Sequence, residues 1–139
     1  MMSRRALRFI PIALLALALS TGAAAAQEIH IKVPFTPERF AELQEQNALV
    51  LLDVFATWCP TCAQQQKVLA VYRALHPDVP LHILTIDFDN QKEFVRKYGA
   101  PRQSTLILYR GEERVWFSVA ETRADVIFAE LNKAAQTSR

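Results

Sequence analysis

The chain has 139 residues, of which 51% are hydrophobic and 22% are charged, so we expect a single domain with a core of its own. Its 16 lysines and arginines nearly balance its 14 aspartates and glutamates, and the formal net charge is +2. This balance argues against a protein that binds nucleic acid through strong positive charge, and the length removes the need for a structural metal or several disulfides.

The first 26 residues have the pattern of a secretory signal peptide. Three arginines precede an apolar run over Phe9–Leu19, and small residues follow as far as Ala26. The run is shorter than the ~20 apolar residues that span a bilayer, and three alanines before Gln27 supply an Ala-x-Ala cleavage site. We therefore expect a signal peptide over 1–26, a mature domain over 27–139, and a soluble protein exported to the periplasm. An uncleaved membrane anchor is the alternative.

Cleavage would also change the charge of the protein. It would remove three of the 16 basic residues and none of the 14 acidic ones, leaving 13 and 14, a formal charge of −1. The remaining charges are interspersed, as on an ordinary protein surface. The sequence therefore predicts no nucleic-acid partner.

After the signal segment, strand and helix patterns alternate in the order β-α-β-α-β-α-β-β-α, which is typical of an α/β domain. The predicted strands cover Ile29–Val33, Ala48–Phe55, Leu81–Asp87, Thr105–Tyr109 and Arg114–Val119. The predicted helices begin near Thr36, Cys59, Gln91 and Thr122, and the last three end near Leu75, Tyr98 and Thr137. A turn containing Gly111 should pair the last two strands as an antiparallel hairpin.

Two details of the helices are also predicted. Thr122 and Asp125 have the spacing of a capping box, so the last helix should start at Thr122. The polar run Gln64–Lys67 should form a solvated face of the helix that starts near Cys59.

The two cysteines, Cys59 and Cys62, are separated only by Pro60 and Thr61. A disulfide that closes so small a loop adds little stability, so a redox pair explains the spacing better than a structural bridge does. The start of a helix offers unpaired backbone amides that favour a thiolate. We expect Cys59 to be the attacking thiolate and Cys62 the resolving thiol.

Asp53 lies in the middle of a buried strand, where a carboxylate is costly to ionise. Such a group is suited to accept and return a proton, so Asp53 is the candidate base for Cys62. The alternative is a carboxylate that only satisfies nearby backbone amides.

The segment Asp53–Cys62, with the sequence DVFATWCPTC, resembles the active-site segment of the thioredoxin family. Tyr98-Gly99 and Thr105–Gly111 extend the resemblance, which covers nearly all of residues 36–135. It implies the thioredoxin fold, a central mixed β-sheet flanked by helices, and protein-disulfide oxidoreductase activity with no cofactor beyond a Cys59–Cys62 disulfide.

The same resemblance implies roles for the site residues. Cys59 would attack, Cys62 would resolve, and Asp53 would relay the proton. Trp58 would pack beside the site, and Pro60 and Thr61 would complete the active-site environment. No metal ligands are implied.

The sequence departs from the family pattern at the position of the cis-proline loop, where the alignment places Ser104. A cis bond before a residue other than proline costs roughly 3 kcal/mol, so the Gln103–Ser104 peptide should be trans. The Ser104 hydroxyl could hydrogen-bond Cys59, or the missing proline could open the thiolates to a metal or cluster. Pro101 in a shifted register is the alternative to Ser104.

Two further departures concern Asp53 and the substrate groove. Ile83 replaces a lysine that commonly partners the buried aspartate in the family, which would leave Asp53 less willing to ionise. Ala120 replaces a glycine that faces the substrate. The expected groove residues are Gln103, Ser104, Thr105 and Ala120.

These features predict a monomeric enzyme whose partners are proteins with disulfides or thiols, and a redox partner that regenerates the dithiol, for which a membrane-bound protein is a candidate. A reductant or thiol-maintenance role is favoured, because no insertion is large enough for the helical domain of periplasmic disulfide-oxidase relatives. Pro60 is shared with oxidising relatives and keeps a disulfide oxidant as an alternative. A metal-binding or cluster-binding module that uses the same thiolates is the other alternative.

The sequence also contains a spacing that matches a zinc finger, formed by Cys59, Cys62, His76 and His82. A finger needs cysteines on a hairpin and histidines on one helix, whereas here the cysteines begin a helix and the histidines follow at its end and in a strand. Structural zinc is therefore not expected.

Overall fold

The computed structural model describes residues 32–137. The strands of this region are β1 Val33–Pro34, β2 Leu49–Phe55, β3 Leu81–Asp87, β4 Thr105–Arg110 and β5 Glu113–Val119. The helices are α1 Pro37–Glu45, α2 Pro60–Leu75, α3 Lys92–Lys97 and α4 Ala124–Gln136. The predicted α/β class and the order of elements are confirmed.

The strands form one mixed sheet in the order β1-β3-β2-β4-β5. β1 and β2 run parallel to β3, and β4 pairs antiparallel with both β2 and β5. The apolar run that predicted a central strand is β2, which has a partner on each side. The predicted hairpin around Gly111 is also confirmed.

Alternate residues of β2 pack against opposite faces of the sheet, as the two-residue period of a strand requires. Leu49 and Leu51 join a core cluster with residues of α2 and α4. Val50, Leu52 and Val54 join a second cluster with residues of α1 and α3. Asp53 has the parity of the first set and therefore faces α2.

One predicted element start needs correction, and another lies outside the described residues. The edge strand β1 is Val33–Pro34, and residues 29–31 of the predicted range Ile29–Val33 are not among the described residues. Helix α4 begins at Ala124 with Arg123 as its N-cap, and no side chain caps it, so the capping box at Thr122 is wrong. The backbone amides of residues 122 and 123 instead donate to Glu121 Oε1, at 3.0 and 2.9 Å.

The proposed signal peptide, residues 1–26, lies outside the described residues. Among residues 32–137, no helix combines the length and the apolar character needed to cross a bilayer.

Candidate active site

Cys59 is the N-cap residue of α2, with an extended backbone, and Pro60 occupies the first turn. The Cys59 Sγ accepts a hydrogen bond from the backbone amide of Cys62 at 3.2 Å. This amide is one of the first amides of α2, which have no partner within the helix. The expected placement of the sulfur against the start of a helix is confirmed, except that the helix begins one residue later than predicted.

The two thiols have different environments. Cys59 is 3% exposed and Cys62 is fully buried, so only Cys59 keeps any access to a substrate. Burial raises the pKa of Cys59, but hydrogen bonds from the Cys62 thiol, the Ser104 hydroxyl and two backbone amides outweigh it and lower the pKa below its ordinary value of 9.0. Burial is the largest cause that raises the pKa of Cys62, and the hydrogen bond to Cys59 raises this pKa further.

Ser104 lies between the two sulfurs. Its Oγ is 3.1 Å from the Cys59 Sγ and 3.3 Å from the Cys62 Sγ, and the residue is fully buried. The Gln103–Ser104 peptide is trans, as predicted, and the Ser104 backbone adopts a left-handed φ of 63°. The expected hydrogen bond between its hydroxyl and Cys59 is confirmed.

Asp53 is fully buried in β2 and is not isolated. Its Oδ2 forms an ion pair with Lys32 Nζ at 2.8 Å and accepts a hydrogen bond from Gln66 Nε2 at 2.9 Å. Lys32 Nζ also donates to Gln66 Oε1 at 3.0 Å and lies 3.8 Å from the centroid of the Phe55 ring. Asp53 therefore belongs to a small buried network of charged and amide groups.

Asp53 has a cationic partner, which the presence of Ile83 did not predict. The family's lysine is absent from its usual strand position, but Lys32, the residue before β1, supplies an ammonium group instead. Lys32 and Gln66 were not predicted as site residues. Gln66 lies four residues after Cys62, on the same helix face, but this spacing indicates only the face and not the partner Asp53.

The interpretation of Gln64–Lys67 as a solvated face is wrong for two of its residues. Gln65 is fully buried and Gln66 contacts Asp53, whereas Gln64 and Lys67 are exposed. Gln65 and Gln66 follow Cys62 by three and four residues and lie on the face of α2 that contacts the sheet and its loops, so polarity alone did not indicate exposure here.

The remaining predicted residues surround the thiols. Trp58 is 58% exposed, and its Nε1 donates to Asp89 Oδ2 at 2.8 Å, so it is tethered at the surface rather than packed. Pro60 is exposed and Thr61 half-buried at the start of α2.

Of the predicted groove residues, Ser104 contacts the thiols, Thr105 and Ala120 adjoin it, and Gln103 is half-buried in the loop before β4. The Ala120 amide donates to the Ser104 carbonyl at 2.8 Å, and Thr105 pairs with Val119 in the sheet. Thr105 is buried, and its Oγ1 donates to the carbonyl of Arg102 at 2.7 Å. The loops before β4 and after β5 are therefore held side by side at the active site.

Ala120 adopts a left-handed backbone conformation, with φ of 57°. A residue with a Cβ pays roughly 1–2 kcal/mol for this conformation, and glycine does not. We expect Ala120→Gly to raise the free energy of unfolding by about 1 kcal/mol in urea denaturation. Ala129→Gly, at an exposed position within α4, should lower the free energy of unfolding by about 1 kcal/mol. If both substitutions changed the free energy of unfolding in the same direction, the Ala120 backbone would not be strained.

The structure does not bring together the four residues that have zinc-finger spacing in the sequence, Cys59, Cys62, His76 and His82. His76 is the C-cap of α2, where its ring stacks on Tyr72 at 4.5 Å between centroids, and His82 lies in β3. Within residues 32–137, no group of three or more histidine, cysteine or acidic side chains is placed to hold a metal ion.

The comparisons with known proteins agree with this site. The sequence matches the model of the Thioredoxin family over residues 31–133. A thioredoxin from Chlamydia trachomatis serovar D is 32% identical over 96 residues, which cover 69% of this chain and 91% of that protein. A protein disulfide-isomerase from Drosophila melanogaster is 24% identical over 126 residues, which cover 87% of this chain and 25% of the isomerase. The crystal structure of Trxlp from Edwardsiella tarda EIB202 aligns with a TM-score of 0.68 and 34% identity, covering 73% of this chain and 98% of Trxlp.

Proposed function

Since this chain belongs to the thioredoxin family and is a thiol-disulfide oxidoreductase, we propose that it uses Cys59 and Cys62 to reduce disulfides, or to keep thiols reduced, in exported proteins. The observation that carries the proposal is the environment of Cys59. Hydrogen bonds from Cys62, from Ser104 and from the start of α2 lower the pKa of its thiol, while burial raises the pKa of Cys62.

The reaction would take place in two displacements at sulfur. In the first, the Cys59 thiolate attacks one sulfur of a substrate disulfide, the substrate S–S bond breaks, and one substrate cysteine leaves as a thiolate. In the second, Cys62 loses its proton and attacks the Cys59 Sγ, which releases the second substrate thiolate and forms the Cys59–Cys62 disulfide. A redox partner then returns two electrons and two protons to restore the dithiol.

Asp53 is the proposed acceptor of the Cys62 proton. Gln66, one helical turn after Cys62 on α2, donates to Asp53 Oδ2, and Lys32 Nζ forms an ion pair with the same oxygen. The second Asp53 oxygen, Oδ1, is buried and has no hydrogen-bond partner in the described structure. It is therefore free to accept a proton.

The acidity of the two thiols gives a direct test of these roles. We expect Cys59 to react with limiting iodoacetamide at pH values below its ordinary pKa of 9.0, and Cys62 only above it, because their pKa values shift in opposite directions. Fragment-ion mass spectrometry can assign the label to each cysteine as the pH is varied. Equal labelling of both, following the profile of N-acetylcysteine, would contradict the proposal.

The proposal that the protein acts as a reductant rather than an oxidant rests on the absence of a large insertion among the described residues. Within the described residues, α2 is followed by β3 after only five residues, 76–80, which leave no room for a helical insertion there. The equilibrium potential of the Cys59/Cys62 couple against glutathione tests the direction. A value near ~ −270 mV supports a reductant, and one near ~ −120 mV supports an oxidant.

Export to the periplasm is part of the same proposal and is supported by the sequence of residues 1–26. Expression of the full chain in a Gram-negative host should release a periplasmic form that begins at Gln27, as read by intact mass. A full-length form in the membrane fraction would indicate an uncleaved anchor.

We also propose that the mature enzyme is a monomer.

A metal-binding module using the two thiolates is the second candidate. One observation favours it, because the Ser104 oxygen lies within 3.3 Å of both sulfurs and could serve as a third donor. This function predicts purified protein with stoichiometric metal and no turnover of insulin disulfides. Turnover by metal-free protein would exclude it.

A further inference from the structure

We propose that Gln65 is a positioning residue that holds the Ser104 hydroxyl against both active-site sulfurs and thereby controls the reactivity of Cys59. The inference rests on the proposed role of Cys59 as the attacking thiolate. Gln65 is fully buried and therefore acts through Ser104 rather than on the substrate.

Gln65 is fully buried, although it lies on α2 in a polar stretch of sequence. Its Nε2 donates to the carbonyl of Ser104 at 3.1 Å and to the carbonyl of Glu121 at 2.9 Å. Both amide hydrogens are therefore used. One side chain of α2 thus joins the loop before β4 to the loop after β5.

Ser104 needs such support because its backbone is in a left-handed conformation that disfavours a residue with a Cβ. Two backbone hydrogen bonds help to hold it, from its amide to the Val54 carbonyl and from the Ala120 amide to its own carbonyl, each at 2.8 Å. Ala120 is itself left-handed, so one strained residue supports another. Gln65 adds a further hydrogen bond to the Ser104 backbone, donated by a side chain of helix α2.

The position of the backbone decides where the Ser104 hydroxyl lies. With the backbone fixed, the Oγ is 3.1 Å from Cys59 and 3.3 Å from Cys62. A hydroxyl at hydrogen-bond distance favours the thiolate form of Cys59 only while it stays there. If Gln65 is lost, Ser104 can relax toward an ordinary backbone conformation and its hydroxyl can leave the sulfurs.

The chemistry of Gln65 also argues against a purely packing role. Its Oε1 is buried with no hydrogen-bond partner in the described structure, which is a cost that an apolar side chain would avoid. Burial alone therefore does not explain an amide at this position, whereas its two donated hydrogen bonds do.

The test is a double-mutant cycle of Gln65→Met and Ser104→Ala, read by the pH dependence of Cys59 alkylation with iodoacetamide. Methionine keeps the unbranched shape and removes the donors. We expect Gln65→Met to raise the pKa of Cys59 and to slow alkylation at pH 7 about three- to tenfold, and Ser104→Ala to do at least as much. The double variant should be no slower than Ser104→Ala alone, because Gln65 acts through the hydroxyl.

Gln64→Met is the matched control, since Gln64 is the exposed neighbour of Gln65 on α2, and it should leave the profile unchanged. Additive losses in the double variant, or an unchanged profile for Gln65→Met, would overturn the inference. Gln65→Leu is measured in the same way if Gln65→Met does not fold. Should wild-type Cys59 be no more acidic than free cysteine, the proposed function itself fails, and this outcome is distinguishable because it appears without any substitution.

Discussion

Replacing Cys59 with serine is expected to reduce the rate of protein-disulfide reduction at least about 1,000-fold, because a hydroxyl at this position cannot provide the attacking thiolate. The buried sulfur accepts a hydrogen bond from the start of α2 and lies beside Ser104, and both contacts act on its charge. Reduction of insulin disulfides, followed by the turbidity of the released chains, measures the effect.

The matched variant is Cys62→Ser, which removes the resolving thiol and leaves the attacking one. We expect it to perform the first displacement and then stop, with about one substrate molecule held per enzyme as a mixed disulfide at Cys59. Non-reducing electrophoresis and intact mass detect this species. The assignment of the two roles would be reversed if Cys59→Ser, and not Cys62→Ser, accumulated the mixed disulfide.

Replacing Asp53 with asparagine is expected to slow the second displacement about 100-fold at neutral pH, because general-base assistance is typically worth 10²–10⁴-fold. Asparagine keeps the shape of the side chain and can still accept hydrogen bonds, but it cannot take the Cys62 proton. The partner Lys32 has a side chain 28% exposed and can be hydrated, so the variant should still fold. Rapid mixing with a chromogenic disulfide separates the first displacement, which should change little, from the second.

Asp125→Asn is the control, because it removes the same charge from an exposed carboxylate, in the first turn of α4. Lys32→Met should slow the second displacement in the wild-type background and add nothing to Asp53→Asn, since Lys32 acts through the carboxylate. A base role for Asp53 is untenable if Asp53→Asn slows both displacements equally, or neither.

Much of the fold follows from local patterns in the sequence. The apolar run that became β2 indicates a strand buried on both faces, and the polar turn at Gly111 indicates the β4–β5 hairpin. The start of α2 at the cysteines follows from Pro60 and from the helical spacing of the apolar residues that come after it. The start of α4 did not follow, because Glu121 accepts from the Thr122 amide, which Asp125 would have taken in a capping box, and from the Arg123 amide as well. That choice depends on side-chain geometry.

The features of the candidate site also fall into two groups, those that the sequence indicates and those that it does not. The spacing of Cys59 and Cys62, the buried position of Asp53 and the placement of Ser104 in the family alignment are all available from the sequence. The contacts of Lys32, Gln65 and Gln66 are not, because each joins residues at least 13 positions apart along the chain.

By itself, the sequence determined that this protein has an α/β thioredoxin-like domain and which two sulfurs react, because strand periodicity, helix starts and cysteine spacing are local properties. Only the tertiary structure decided which groups tune those sulfurs. The strand period turns Asp53 toward α2, and the loop before β4 places Ser104 against the start of that helix. The packing of α2 and of the segment before β1 then brings two glutamines and a lysine against them. Such contacts depend on how distant segments pack, and polar residues at these positions cannot be distinguished from solvated ones until the sheet and helix are assembled.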